Sequence, residues 1–157
     1  MNIPVLHDVY FGLGTNLGNK EENIRTALQY IGERIGEVIA CSAFFVTDPV
    51  GFLSDNQFIN AACHVRTSLR PLDILEITQH IEQLMGRESK SVNCIYADRI
   101  IDIDMLMYDD LIVDYPQLTL PHPRIAERRF VLLPLAEIAA DIVHPILQKR
   151  IGDMLGR

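Results

Sequence analysis

Arg99-Ile100-Ile101-Asp102-Ile103-Asp104-Met105-Leu106-Met107-Tyr108 sets two aspartates in alternation within an otherwise apolar run, and the run reads as a β-strand. Side chains two apart on a strand share a face. Asp102 and Asp104 therefore stand side by side among Ile100, Leu106 and Tyr108, while Ile101, Ile103, Met105 and Met107 line the other side. Both faces are largely apolar, which is the pattern of a sheet sheltered from water on each side. A carboxylate pair about 7 Å apart along such a strand is costly unless cations neutralise it. Mg²⁺ suits the pair, because it favours one or two carboxylates and leaves its other positions to water and phosphate oxygens. The plainer alternative is an exposed strand end carrying two solvated acids.

Upstream, Asp8 to Leu13 reads as a first strand that ends in the turn-rich Gly14-Thr15-Asn16-Leu17-Gly18-Asn19. A helix is expected from Glu21 to Ile35, where Ile24, Leu28, Ile31 and Ile35 recur at helical spacing behind an acidic first turn. Glu37 to Thr47 reads as a second strand closed by Asp48-Pro49, and Phe58 to Thr67 as a third. In the third, Ile59, Ala61, Cys63 and Val65 face the core, and Phe58, Asn60, Ala62 and His64 face the other way. Pro71 opens a second helix that stops near Gly86. Arg87 to Asp98 is a polar loop of a length that points to function. Beyond the aspartate strand come a turn at Asp109-Asp110, short extended pieces at Leu111–Val113 and Leu118–Leu120, a helix around Arg128–Ile138 and a last short helix within Ile146–Leu155. The order strand, helix, strand, strand, helix, strand predicts an α+β fold: a ferredoxin-like antiparallel sheet with helices on both sides, an αβα sandwich. Residues 1–157 are expected to form a single domain.

Composition narrows the function classes. With 48% hydrophobic and 22% charged residues the chain is an ordinary globular protein, and its net charge of -7 speaks against a nucleic-acid partner. Yet Arg87, Lys90, Arg99, Arg124, Arg128 and Arg129, six of its fourteen Lys and Arg residues, gather between positions 87 and 129, around the aspartates. That grouping suits a small polyanion held by metal and arginine together. Cys41, Cys63 and Cys94 have no paired spacing, so neither a disulfide framework nor a zinc site is expected. No apolar run approaches a membrane span and no signal-peptide pattern opens the sequence, so a cytoplasmic, monomeric enzyme without membrane partners is the expectation.

With these residues laid out, the chain resembles the 6-hydroxymethyl-7,8-dihydropterin pyrophosphokinases of folate biosynthesis. The resemblance runs from Tyr10 to Ile138 and rests on Gly14-Thr15-Asn16-Leu17, Phe58-Ile59-Asn60-Ala61-Ala62, Glu82 with Gly86-Arg87, Arg99 with Asp102-x-Asp104, and Pro121-His122 followed by Arg128-Arg129-Phe130. It implies transfer of the pyrophosphoryl group of ATP to the pterin hydroxymethyl oxygen, with release of AMP and with two magnesium ions. By the same resemblance Asp102 and Asp104 are the metal ligands, and with Arg87 and Arg99 they make up the catalytic set. Leu75, Gln79, Glu82, Arg87, Lys90, Arg99, Met105, Thr119, His122 and Arg128 border ATP. Thr47, Asp48, Val50, Phe58, Asn60 and Phe130 hold the pterin, the two aromatics sandwiching the ring and Asn60 meeting its polar edge. An arginine fork suits phosphate oxygens because it stays charged and binds at two points. Departures lie mainly in the loop: Ser89-Lys90 and Tyr96-Ala97-Asp98-Arg99 replace a more basic, Trp-Pro-containing stretch, Pro123 follows the histidine in place of an aromatic, and Gln117 stands where an adenine-side arginine can occur.

Two rivals remain open from sequence. A non-catalytic ferredoxin-like ligand-binding module would share the fold but leave Asp102, Asp104 and the arginines unexplained. A two-metal phosphohydrolase would use the aspartates but not the Phe58, Asn60 and Phe130 set.

Overall fold

The computed structural model describes residues 3–47, 57–86 and 100–156. Its elements in chain order are β1 (His7–Thr15), α1 (Lys20–Arg34), β2 (Glu37–Cys41), β3 (Phe45–Thr47), β4 (Phe58–Thr67), α2 (Pro71–Leu84), β5 (Asp102–Tyr108), β6 (Val113–Asp114), β7 (Thr119–Leu120) and α3 (Arg129–Ala139), followed by a 3-10 turn at Gly152–Leu155. The main sheet has the order β2-β4-β1-β5, with β3 also paired to β4 and every pairing antiparallel. This is the ferredoxin-like arrangement expected from the element order, and β6 and β7 form a separate two-stranded ribbon.

Local chemistry sets the boundaries. Asn19 caps α1 by accepting the Glu22 N–H at 3.2 Å, and Glu21 and Glu22 complement the positive end of the helix. Pro71 occupies the first turn of α2, where its missing N–H costs nothing. The predicted single strand Glu37–Thr47 is two strands, and Ser42 is the reason. Its N–H donates to the Ala62 carbonyl at 2.8 Å, but its hydroxyl, in place of a carbonyl, accepts the Ala62 N–H at 2.9 Å. A side chain has taken over a rung of the ladder, so the regular strand stops there.

Alternation divides the sheet into two apolar faces. Phe11, Leu13, Ile59, Ala61, Cys63, Val65, Ile103 and Met105 face α1 and α2, whose Ile24, Ile31, Ile74 and Ile81 complete the larger core. Tyr10, Ala62, Leu106 and Met107 face α3 and the 3-10 turn, where Leu132, Leu135 and Ile151 cover them. The expected inward residues of the third strand are all in the first core.

The aspartate strand departs from strict alternation. Phe11 pairs with Met105 but Tyr10 pairs with Met107, a bulge that puts two residues of β5 against one of β1. Leu106 and Met107 both turn toward α3, and Tyr108 crosses to the α1 and α2 side. There its hydroxyl donates to the Leu69 carbonyl at 2.7 Å and its ring stacks on His7. The sequence expectation for the faces of Met107 and Tyr108 is thus reversed, while that for Asp102 and Asp104 stands. The last helix is also shorter than expected. His144 is buried, and its Nδ1 accepts the N–H groups of Ile146 and Leu147, which folds 143–150 into a closed turn and delays the helix to Gly152.

Candidate active site

Two rows cross the middle of the second face. Gly14 of β1 lies between Asn60 of β4 and Asp102 of β5, and Gly12 lies between Ala62 and Asp104. Directly opposed residues of antiparallel strands share a face. Asn60, Asp102 and Asp104 therefore rise on the same side around a strip of bare backbone. Gly14 is buried, and a Cβ on it would sit 3.1 Å from Asn60 Oδ1 and 3.8 Å from Phe58 Cδ1, so the missing side chain is what gives the Asn60 amide its room; a Cβ on Gly12 would meet Leu106 at 3.5 Å.

Both aspartates are half-buried. Among the described residues no group of three His, Cys, Asp or Glu side chains is placed to hold a metal. What the face offers is two carboxylates, hard oxygen donors two residues apart on one strand, a set that fits Mg²⁺ with water and phosphate completing its shell, and does not fit a closed all-protein cage. On the opposite side of Gly14, the Asn60 amide donates to Thr47 Oγ1 at 2.8 Å. With the amide nitrogen turned to Thr47, Oδ1 lies over Gly14 as an acceptor.

The segment after β7 brings the cationic groups. The His122 N–H donates to the Leu106 carbonyl at 2.8 Å, which pins the segment to β5. His122 Nδ1 accepts the Arg124 N–H at 3.1 Å, so the neutral ring carries its proton on Nε2. Burial, reinforced by the positive charge of Arg128, pushes the imidazole below its usual pKa, and Asp102 pulls the other way. His122, Arg128 and Asp102 thus share one electrostatic neighbourhood. Arg128 precedes α3 and lays its guanidinium 5.7 Å from the centre of the Phe130 ring. Helix α3 packs against β4, the strand of Phe58 and Asn60.

The sequence model of the family described as 7,8-dihydro-6-hydroxymethylpterin-pyrophosphokinase (HPPK) matches residues 10–140. The chain belongs to this family. Curated relatives agree: it is 43% identical over 138 residues to the 2-amino-4-hydroxy-6-hydroxymethyldihydropteridine pyrophosphokinase of Porphyromonas gingivalis, covering 87% of this chain and 93% of that one. It is 38% identical over 134 residues to the protein of the same name from Bacillus subtilis, covering 85% and 78%. Among solved structures, the Plasmodium falciparum HPPK-DHPS crystal structure with pteroate superposes with a TM-score of 0.77 at 17% identity, covering 99% of this chain and 43% of that longer one, a likeness of fold.

Within this HPPK fold the sequence-derived candidates fall into three groups. Asp102, Asp104, Asn60, Thr47, Phe58, His122, Arg128 and Phe130 lie on the elements that frame the second face. Five more lie on α2, β5 and β7, Gln79 of α2 being half-buried. Met105 is buried in the first core, on the side opposite the aspartates, and Leu75 packs against that same core. Glu82 is buried and accepts the Ile103 N–H at 2.8 Å. Thr119 donates its hydroxyl to Asp114 at 3.1 Å. Asp48, Val50, Arg87, Lys90, Tyr96 and Arg99 lie outside the described residues. Sequence reading missed the role of Gly12 and Gly14 as floor. The signal was present as Gly-x-Gly in β1, whose period of two matches Asp-x-Asp in β5. It also missed Asn23, whose amide donates to Thr15 Oγ1 and to the Leu17 carbonyl and holds the turn that follows the floor.

Proposed function

We infer that the protein transfers the pyrophosphoryl group of ATP to the hydroxymethyl oxygen of 6-hydroxymethyl-7,8-dihydropterin, releasing AMP, in folate biosynthesis. Family membership over most of the chain supports the reaction. The observation that carries it to particular atoms is the row Asn60, Gly14, Asp102, which sets an amide and a carboxylate on either side of one glycine. Neither rival keeps a feature of its own. A binding module has no use for the carboxylate pair, and a phosphohydrolase has none for Asn60 and the aromatics.

The roles follow from the chemistry of each group. Asn60, with one of its two amide hydrogens given to Thr47, offers Oδ1 to the hydrogen-bond donors of a pterin edge. Phe58 and Phe130 supply apolar ring faces for a flat heterocycle. His122 donates from Nε2 to a phosphate oxygen as a neutral group, and Arg128 adds a permanent charge with a two-point fork. Asp102 and Asp104 are the groups that would hold magnesium, which when bound offsets the charge on the phosphate oxygens. The new bond joins the hydroxymethyl oxygen to the β-phosphorus, the bond from that phosphorus to the α-phosphate oxygen breaks, and the hydroxyl proton leaves to solvent. Holding the oxygen in line and stabilising the charge on the phosphate oxygens account for the catalysis without a strong general base. The residues outside the described set, Arg87, Lys90 and Arg99 on the phosphate side and Asp48 and Val50 on the pterin side, complete the proposed site. The proposed setting is a cytoplasmic monomer; among the described residues no helix is long and apolar enough to cross a membrane.

Production of AMP tests the reading. It should appear only when ATP and hydroxymethyl-dihydropterin are both present and should stop when divalent cations are chelated. AMP or phosphate formed without the pterin would point to hydrolysis, and no AMP under any condition would point to a binding module.

A further inference from the structure

Strand β5 closes the sheet on one side, so half of its backbone groups point away from β1. An exposed strand edge frays, and every second N–H on it needs an acceptor from outside the sheet. Ile103 sits between the two aspartates, and its N–H is one of these outward groups. The acceptor is Glu82 Oε2, 2.8 Å away, reaching across from the last full turn of α2. Burying a carboxylate is costly without strong partners, yet Glu82 is only 9% exposed and lies among Ile74, Thr78 and Ile81 on the buried side of the helix. Its charge has been brought to an edge that a water molecule or a neutral side chain would also have satisfied. Among the described residues Glu82 does not join the aspartates in a three-group metal cluster. It meets β5 at the backbone between them.

We propose that Glu82 is a positioning residue for the carboxylate pair: by holding the Ile103 N–H it clamps the outer edge of β5 to α2 and keeps Asp102 and Asp104 aimed over the Gly12 and Gly14 floor. This rests on the reading of Asp102 and Asp104 as the metal-holding pair. The clamp works through geometry. The aspartates alternate with Ile103, so any twist of β5 at that residue turns both carboxylates together. The bulge at Leu106 already loosens β5 on one side of the pair, and the Glu82 bond is a fixed point close to it. Supporting contacts of this kind around metal ligands change metal affinity by about 10- to 100-fold when removed.

Two substitutions and two readouts test it. Glu82→Gln keeps an oxygen that can accept the Ile103 N–H; Glu82→Met keeps the length and apolar stem and has no such acceptor. The first readout is Mg²⁺ activation of AMP formation at saturating ATP and pterin. The second, independent of turnover, is hydrogen exchange of the Ile103 amide in the protein without metal or nucleotide. Glu82→Met should raise the Mg²⁺ concentration for half activation by about ten-fold, speed exchange at Ile103 and leave the KM for the pterin unchanged. Glu82→Gln should stay close to the parent in all three. A Glu82→Gln variant as impaired as Glu82→Met would overturn the proposal, since the charge itself would then be meeting the substrate. So would an unmoved Mg²⁺ midpoint in folded Glu82→Met. If Glu82→Met does not fold, fast exchange at Ile103 in the parent protein, or a shifted midpoint in Glu82→Gln, refutes the clamp. Parent activity that survives chelation removes the metal reading beneath it, and is recognisable as that separate failure.

Discussion

Replacing Gly14 by alanine probes the floor with one carbon atom. The added Cβ would stand 3.1 Å from Asn60 Oδ1, a few tenths of an ångström inside ordinary contact, and 3.8 Å from Phe58 Cδ1, which is comfortable. Asn60 is the group that must give way, and it is held by its 2.8 Å bond to Thr47 Oγ1. Turning the amide lengthens that bond and moves the acceptor away from the pterin. Losing or weakening one neutral hydrogen bond costs about 1 kcal/mol, and a misaligned acceptor for the substrate adds a similar amount. The sum, about 1–2 kcal/mol, corresponds to a pterin affinity lowered by roughly 5- to 30-fold. Fold stability should change by less than about 1 kcal/mol, because alanine stiffens the unfolded chain and partly offsets the strained contact. Gly14 has an ordinary negative φ, so no backbone penalty enters. Titration calorimetry with the pterin and separately with a non-hydrolysable ATP analogue measures the two affinities, and thermal melting reports the fold. Gly32→Ala on α1 is the comparison: its Cβ would be 3.9 Å from Val38 Cγ2, and it should gain about 0.5–1 kcal/mol of stability with both affinities intact. Unchanged pterin affinity in a folded Gly14→Ala protein, or an equal loss toward the ATP analogue, would refute the placement of Asn60 over the floor.

Asp102→Asn and Asp104→Asn should each lower AMP formation by about 10²–10³-fold, the scale for removing a group that stabilises developing charge. Both variants should still melt as folded proteins without ligand; activity near the parent level would end their assignment. Phe130→Ala should weaken the pterin by about 1 kcal/mol or more through lost stacking, raising its KM while binding of the ATP analogue is spared. His144 gives a pH dependence separate from the site. Burial lowers its pKa from the ordinary value, and its Nδ1 accepts two backbone N–H groups that a protonated ring must release. The unfolded chain binds that proton more readily, so the contribution of His144 to stability is complete above about pH 6.5 and is lost as pH falls toward its depressed folded value. His144→Asn, whose Oδ1 can accept in place of Nδ1, should melt with a flatter dependence between pH 7 and 5; equal slopes for the two proteins would count against this role.

The fold was legible because each element carries its own signal. Ile24 to Ile35 repeat at helical spacing, Pro71 marks a helix start, and Ile59 to Val65 alternate cleanly. Strand order then follows from connection rules more than from any one residue. What stayed hidden depends on pairs of strands. The break at Ser42 requires knowing that Ala62 is opposite, because a serine hydroxyl replaces a carbonyl only when a donor faces it. The bulge at Leu106 is invisible in an apolar run, where Leu106, Met107 and Tyr108 suit either face equally well. The bond from Ile103 to Glu82 was hidden for a related reason: helical spacing says which residues share an edge, not what that edge packs against.

The bulge also explains how one face of the sheet serves two purposes. If β5 alternated without interruption, Met107 would point into the first core and Tyr108 would come up beneath α3. With the extra residue, the paired apolar side chains Leu106 and Met107 lie under α3 beside Tyr10, and Ile125, Leu132 and Leu135 close over them. The neighbouring half of the same face, across Gly12 and Gly14, keeps Asp102, Asp104 and Asn60. An apolar half anchors α3, and α3 in turn begins at Arg128 and Phe130, next to the polar half. The helix that seals the second core is therefore also the element that carries a cation and an aromatic ring to the edge of the proposed site. Mutations that loosen the Leu106 and Leu132 packing should act on substrate binding as well as on stability, because the first turn of α3 has no separate support from a side-chain cap at Arg128.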